Sequence, residues 1–125
     1  YSPMNDSRSP WTTSRGPVRL DALRALVAQT ADRIEAIVAG GDRVSRSVRA
    51  EARLAAARTV HESRAIIADV MEASGASAHF LSSPMQRAKR DVDIAAGHVV
   101  FDYDTSRELA GALAIGAKIS PISMI

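Results

Sequence analysis

From Val18 to Ala39 the apolar residues Leu20, Leu23, Leu26, Val27, Ile34, Ile37 and Val38 recur at three- and four-residue spacing. That period is the turn of an α-helix, and it predicts a helix with one face against a core. Gly40-Gly41 predicts its end, because glycine enters the left-handed conformation that closes helices without a Cβ penalty. Asp42 then stands as the N-cap of a long second helix over Arg43 to Ser74, ended by Gly75. Its apolar positions include Val44, Val48, Leu54, Val60, Ile67, Val70 and Met71. Gly75 to Ser83 reads as a short connection carrying His79 and Phe80. Ser83 followed by Gln86 reads as a capping box, with Pro84 at the first helical position, where its missing N–H costs nothing. Met85, Ala88, Val92, Ala95, Ala96 and Val99 form the next apolar stripe, which predicts one continuous helix from Pro84 to Val100. Phe101 to Asp104 reads as a turn. Thr105-Ser106-Arg107-Glu108 reads as a second capping box, opening a last helix that runs through Leu109, Leu113 and Ile115 and stops at Gly116. No segment alternates with the period of a strand. The expected fold class is all-α, an up-and-down four-helix bundle.

The two ends read differently. Residues 1–17 hold three of the five prolines among Ser, Thr, Asn and Gly, and read as a linker or loop. Trp11, the single tryptophan, either pins that segment to the body or stacks on a ligand. Residues 18–125 form the expected helical domain. Its tail after Gly116 is apolar (Ile119, Ile122, Met124, Ile125) and calls for burial on this domain or on a partner.

Composition narrows the class without naming a function. The chain has 125 residues, enough for one domain, and only 4% aromatic residues, so its core must be aliphatic and alanine-rich. It has no cysteine, which removes disulfides and thiolate metal sites and fits a cytoplasmic location. No apolar run approaches the roughly 20 residues of a membrane span, so no membrane partner is expected. The net charge of +2 is that of a mildly basic soluble protein. A nucleic-acid partner is not expected, since the aromatic residues that stack on bases are nearly absent. Arg46, Arg49 and Arg53 do form a stripe on the second helix. It is either a solvated face supported by Glu51 and other acids, or a surface that meets phosphates or another subunit.

The candidate chemistry gathers on the third helix. Arg87 and Asp91 are four residues apart and can pair. Asp91 and His98 are seven apart, so a continuous helix would put them on nearly one side. Read plainly, this is a surface ion pair and a histidine favoured by a helix C-terminus. Read chemically, it is an arginine, a carboxylate and an imidazole in a row. His61 reads as packed or solvated. No histidine pair has the spacing of a helical zinc site, and no metal site is expected.

Glu72-Ala73-Ser74-Gly75-Ala76, Ser83-Pro84-Met85-Gln86-Arg87, Arg90-Asp91 and His98 together resemble the C-terminal helical domain of the acyl-CoA dehydrogenase superfamily. More narrowly they resemble its flavin-dependent monooxygenase branch, which includes two-component hydroxylases, dibenzothiophene monooxygenase and amino-sugar nitrososynthases. Many dehydrogenases of the superfamily place a catalytic glutamate eight residues after the Arg-Asp pair. Here that position is Val99, and His98 stands one residue earlier, where the monooxygenase branch has a histidine near the flavin. The resemblance implies that His98 is catalytic, assisting oxygen chemistry or binding and deprotonating substrate. It implies that Gly75, Ala76 and Gln86 contact the cofactor, reduced FMN or FAD. Gly75 matches the dehydrogenase Gln-x-x-Gly-Gly segment that meets a neighbouring subunit's flavin, whereas Glu72 and Ala76 depart from it. It implies that Arg87, Arg90 and Asp91 hold the bundle or an interface. The expected partners are further copies of the chain, as a homotetramer, together with a separate flavin reductase and a small-molecule substrate. The chain opens on Tyr1, and the expectation is a C-terminal piece of a larger flavoenzyme, inactive by itself. The alternatives are an acyl-CoA dehydrogenase-like oxidoreductase and a stand-alone helical interaction or nucleic-acid-binding module.

Overall fold

The computed structural model describes residues 15–76 and 80–120. Trp11, His79 and the tail residues Ile122, Met124 and Ile125 lie outside them. The described residues form four helices and no strand: α1 (Arg15–Ala39), α2 (Arg46–Ser74), α3 (Pro84–Ala96) and α4 (Tyr103–Ala114), with a 3-10 turn over Val99–Phe101. The all-α expectation holds. The longest helix, α2, is the spine. Helices α1, α3, α4 and the 3-10 turn all pack on it.

The core along this spine is built from small residues. Ala50, Ala55 and Ala57 of α2 are buried with Ile66 and Met71, against Leu23 of α1 and Leu109 of α4. Alanine at the contact lets helix axes approach closely and loses no side-chain entropy on burial. Charged residues fix how α1 lies on α2. The Arg19 guanidinium reaches Asp69 at 2.8 Å and Glu62 at 3.6 Å, and Arg33 pairs with Glu51, about three turns before Glu62 on α2. These pairings make α1 antiparallel to α2. They also pair the Glu51 carboxylate with Arg33 of α1. Arg64 of α2 meets Asp93 of α3 at 3.1 Å, and Arg53, earlier on α2, reaches Val99 beyond α3, so α3 runs antiparallel to α2 as well.

Helix α1 starts at Arg15, inside the stretch expected to be linker, with Pro17 in its first turn, where a missing N–H breaks no helix bond. The other helix ends depart from expectation in four places, each for a local reason. First, α2 starts at Arg46, and its N-cap is Ser45, whose Oγ accepts from the Val48 N–H at 3.2 Å. Asp42 is not the cap, because it belongs to the preceding helix end. Its N–H donates to the Ile37 carbonyl while Gly41, at φ 81°, donates to Val38. That pair of bonds is the Schellman closure. Second, Ser83 caps α3 through its backbone only. The Gln86 N–H takes the Ser83 carbonyl, and the Ser83 N–H is already spent on the Phe80 carbonyl, so neither half of a capping box is needed.

Third, α3 does not continue to Val100. It ends at Ala96, where Gly97 and His98 donate to Ile94 and Ala95 in a tightened last turn. Glycine costs a helix about 1 kcal/mol relative to alanine, and the β-branched Val99 and Val100 add no compensating propensity. Fourth, α4 begins two residues before Thr105. Its cap is Asp102, whose Oδ1 accepts from the Thr105 N–H at 2.9 Å, so Phe101 to Asp104 is not one turn. The buried Ser106 hydroxyl is satisfied by the Asp102 carbonyl at 2.7 Å. Gly116 closes α4 at φ 73°, with Ala117 donating to Ala112 and Gly116 to Leu113.

Candidate functional site

The antiparallel α2–α3 pair sends its two candidate groups to opposite ends. At one end α2 stops and α3 begins, so Gly75, Ala76 and Gln86 gather there. At the other end stands His98. A helix of the length of α3 rises about 1.5 Å per residue, so roughly 20 Å separates Gln86 from the histidine turn. Arg87, Arg90 and Asp91 lie between them on exposed positions of α3.

At the first end Gly75 sits at φ 71° and ψ −159°, with its N–H on the Glu72 carbonyl. A Cβ built there meets nothing within 4 Å among the described residues. Gln86 is half-buried, and Phe80 and Leu81 beside it are exposed. The Gln86 amide and the backbone beside Gly75 are the groups this end offers to a ligand. Arg87 Nε stands 3.8 Å from Asp91 Oδ2, with both side chains largely in solvent, so the pair adds little to stability.

At the second end the break in α3 changes what His98 can do. Its backbone is extended, at φ −77° and ψ 134°, and it caps the 3-10 turn. It therefore no longer shares a helical face with Asp91, contrary to the periodicity argument. The Nδ1 atom accepts from the Val100 N–H at 3.2 Å. An accepting Nδ1 means that the neutral ring carries its proton on Nε2. The ring meets Phe101 edge-on, with centroids 6.0 Å apart, and the residue is exposed. The turn thus presents an imidazole N–H donor to solvent at the edge of the helical core. His98 lies two residues past the end of α3 rather than in the last turn of a continuous helix, and it is exposed.

Two features near this end were not read from the sequence as one group. Asp93 receives Lys89 at 2.5 Å and Arg64 at 3.1 Å. The Lys89 hydrogen bond, aided by the charge of Arg64, holds the Asp93 carboxyl below the ordinary aspartate range. Beside it His61 stacks on Tyr103 at 4.6 Å and 20°, and the Arg107 guanidinium lies 5.3 Å from the centroid of the Tyr103 ring. His61 and Arg64 line a groove between α2 and α3 with Ala68 and Val92, and also a second hollow under Phe101 and Tyr103. Lys89–Asp93 is legible as a four-residue helical spacing. The link to Arg64 spans 29 residues and has no local signal. Among the described residues, no group of three or more His, Cys, Asp or Glu side chains stands together to hold a metal ion. No helix of the described residues is long and apolar enough to cross a membrane.

Comparison with solved structures finds the same fold in 3-HSA hydroxylase from Rhodococcus sp. RHA1, with a TM-score of 0.78 at 23% sequence identity. The match covers 86% of this chain and 28% of that one, so this chain spans little more than a quarter of that protein's length. No curated protein matches the chain. The family profile described as acyl-CoA dehydrogenase, C-terminal domain, matches residues 12–103, which include α1, α2, α3 and the histidine turn. By that match the chain belongs to the family of acyl-CoA dehydrogenase C-terminal domains.

Proposed function

We propose that this chain is the C-terminal helical domain of a flavin-dependent monooxygenase. The full protein takes reduced FMN or FAD from a separate reductase and oxygenates a small organic substrate. The observation that carries this reading is the pairing of a missing base with a present donor. Val99 occupies the place of the dehydrogenase glutamate, and His98 beside it offers an Nε2–H from a fixed turn. Membership of the family and a fold shared with a hydroxylase support it. When bound, reduced flavin with O₂ supplies the oxygen atom. The chain's own residues then have separate tasks. His98 donates from Nε2 to an oxygen of the substrate or cofactor, and its Nδ1 stays occupied by the Val100 N–H. In this tautomer the ring acts as a neutral hydrogen-bond donor, because its one free nitrogen already holds a proton. Gly75 and Ala76, with Gln86, give a flavin access to bare backbone. Since about 20 Å of helix separates the two groups, they serve the flavins of two different subunits in a homotetramer.

The test uses the full-length protein with purified reductase, FMN, FAD and a panel of small phenols. The expected result is preferential binding of reduced over oxidised flavin and oxygenated product that depends on supplied reduced flavin. His98→Ala should fold normally, being an exposed residue outside the core. It should lower oxygenation by ~10²–10³-fold, the range for loss of one hydrogen-bond donor at a developing charge, or divert the turnover to hydrogen peroxide. Oxidised FAD held tightly through purification and reduced by acyl-CoA thioesters would replace this reading with the dehydrogenase one. Steeply salt-dependent nucleic-acid binding without flavin affinity would favour the stand-alone module.

A further inference from the structure

The Val99–Val100 peptide joins two interactions that look unrelated when read side chain by side chain. Its carbonyl accepts from the Arg53 guanidinium of α2 at 3.4 Å, and also from the Asp102 N–H at 3.2 Å. Its N–H donates to His98 Nδ1 at 3.2 Å. A peptide unit is planar, so fixing the direction of its C=O fixes the direction of its N–H. A cation on the carbonyl also polarises the unit and strengthens the N–H as a donor.

We propose that Arg53 is a positioning residue for His98. Acting through the Val99–Val100 peptide, it holds the imidazole in the Nε2–H tautomer and aims that N–H outward. Arg53 reaches the turn from a different helix, 46 residues away in sequence. It therefore ties the histidine turn to the spine helix α2. Three further groups bound the arrangement. Phe101 sets the ring edge, the Asp102 N–H shares the Val99 carbonyl, and the Asp102 carboxylate caps α4 and lies within the electrostatic reach of Arg53. The arginine is thus assigned a role that the stripe Arg46, Arg49, Arg53 does not suggest. Arg49 turns back to the Val44 carbonyl at 2.7 Å, whereas Arg53 crosses to the histidine turn.

The functional consequence rests on the monooxygenase reading, but the tautomer does not. The experiment therefore has two readouts on full-length protein labelled with ¹³C,¹⁵N-histidine, with the His98 signal assigned by its loss in His98→Ala. In the unsubstituted protein the ring shifts should report a neutral Nε2–H tautomer. In Arg53→Met the minor Nδ1–H form should gain about 2- to 10-fold in population, the range spanned by loss of one hydrogen bond. The fraction of reduced flavin lost as hydrogen peroxide should rise, with reduced-flavin affinity unchanged, because Gly75 and Gln86 lie at the other end of α3. Arg53→Lys keeps one cation with one reach and should fall between the two. It also gives the same reading if the methionine variant fails to fold. An unchanged tautomer in both variants overturns the proposal. A changed tautomer with unchanged coupling overturns its functional half. If the unsubstituted protein oxygenates nothing, the monooxygenase reading fails while the tautomer still decides whether Arg53 positions the ring.

Discussion

Two aspartates show how single residues make this fold sensitive to acid. Asp102 receives the Thr105 N–H, and that bond, with the Asp104 N–H and the charge of Arg53, holds its carboxyl below the ordinary aspartate range. Asp93 is held low by Lys89 first and Arg64 with it. A carboxyl whose folded pKa lies below its unfolded one binds fewer protons in the native state. Its contribution is complete above the unfolded value and is lost as pH falls through the folded value. The chain's stability should therefore be flat near neutrality and decline below about pH 4, where free aspartate begins to protonate. Denaturant melts between neutral and acidic pH should show a smaller acid loss in Asp93→Asn and Asp102→Asn than in the parent chain. An acid decline as steep in both variants as in the parent would show that other groups carry it.

At the scale of elements, the contact between α2 and its neighbours depends on alanine. Ala57 is 0% exposed, and α1, α3 and α4 all lean on the helix that carries it. Ala57→Leu adds three carbons where none fits, and should destabilise the chain by ~1–3 kcal/mol. Ala36→Leu on the exposed side of α1 is the control and should change little. Thermal melts of the two variants decide the matter; equal melting temperatures would mean that the α2 packing is loose. The break after α3 is the element with a functional consequence. A helix carried through Gly97 would leave the Val100 N–H bonded to Ala96 and would remove the donor to His98 Nδ1. Stopping the helix one turn early converts a surface histidine into a positioned one.

For the whole molecule, the apolar surface left exposed points beyond a single chain. Ile115 is 83% exposed and Ile94 77%, with Val18, Val27 and Val38 exposed along α1. Among the described residues, helix α1 has its main contacts with α2. Symmetric self-association is the commonest way to bury such surface. The expected outcome is a homotetramer of the full-length protein by sedimentation velocity at micromolar concentration. Ile94→Glu with Ile115→Glu should shift it toward smaller species. A strictly monomeric parent protein would overturn the assembly and, with it, the assignment of Gly75 and His98 to flavins of different subunits.

The sequence by itself determined the helical class, the four segments, and the stops at Gly40-Gly41, Gly75 and Gly116. Each of these is encoded in residues one or two turns apart, by apolar period or by the freedom of glycine at positive φ. It also pointed to His98 and to the Arg87–Asp91 spacing. Tertiary structure decided the competitions that local signals leave open. Asp42 lost the cap of α2 because it closes α1 while α2 begins only at Arg46, where Ser45 stands in the cap position, and Thr105 lost the cap of α4 because Asp102 lay one turn earlier with its carboxylate. A Pro84 to Val100 stripe with a continuous period still broke at Gly97, where a 3-10 turn on α2 satisfies the same backbone groups. The reach of Arg53 to the Val99 carbonyl, and with it the tautomer of His98, is set by where two distant segments pack, which no spacing along the chain records.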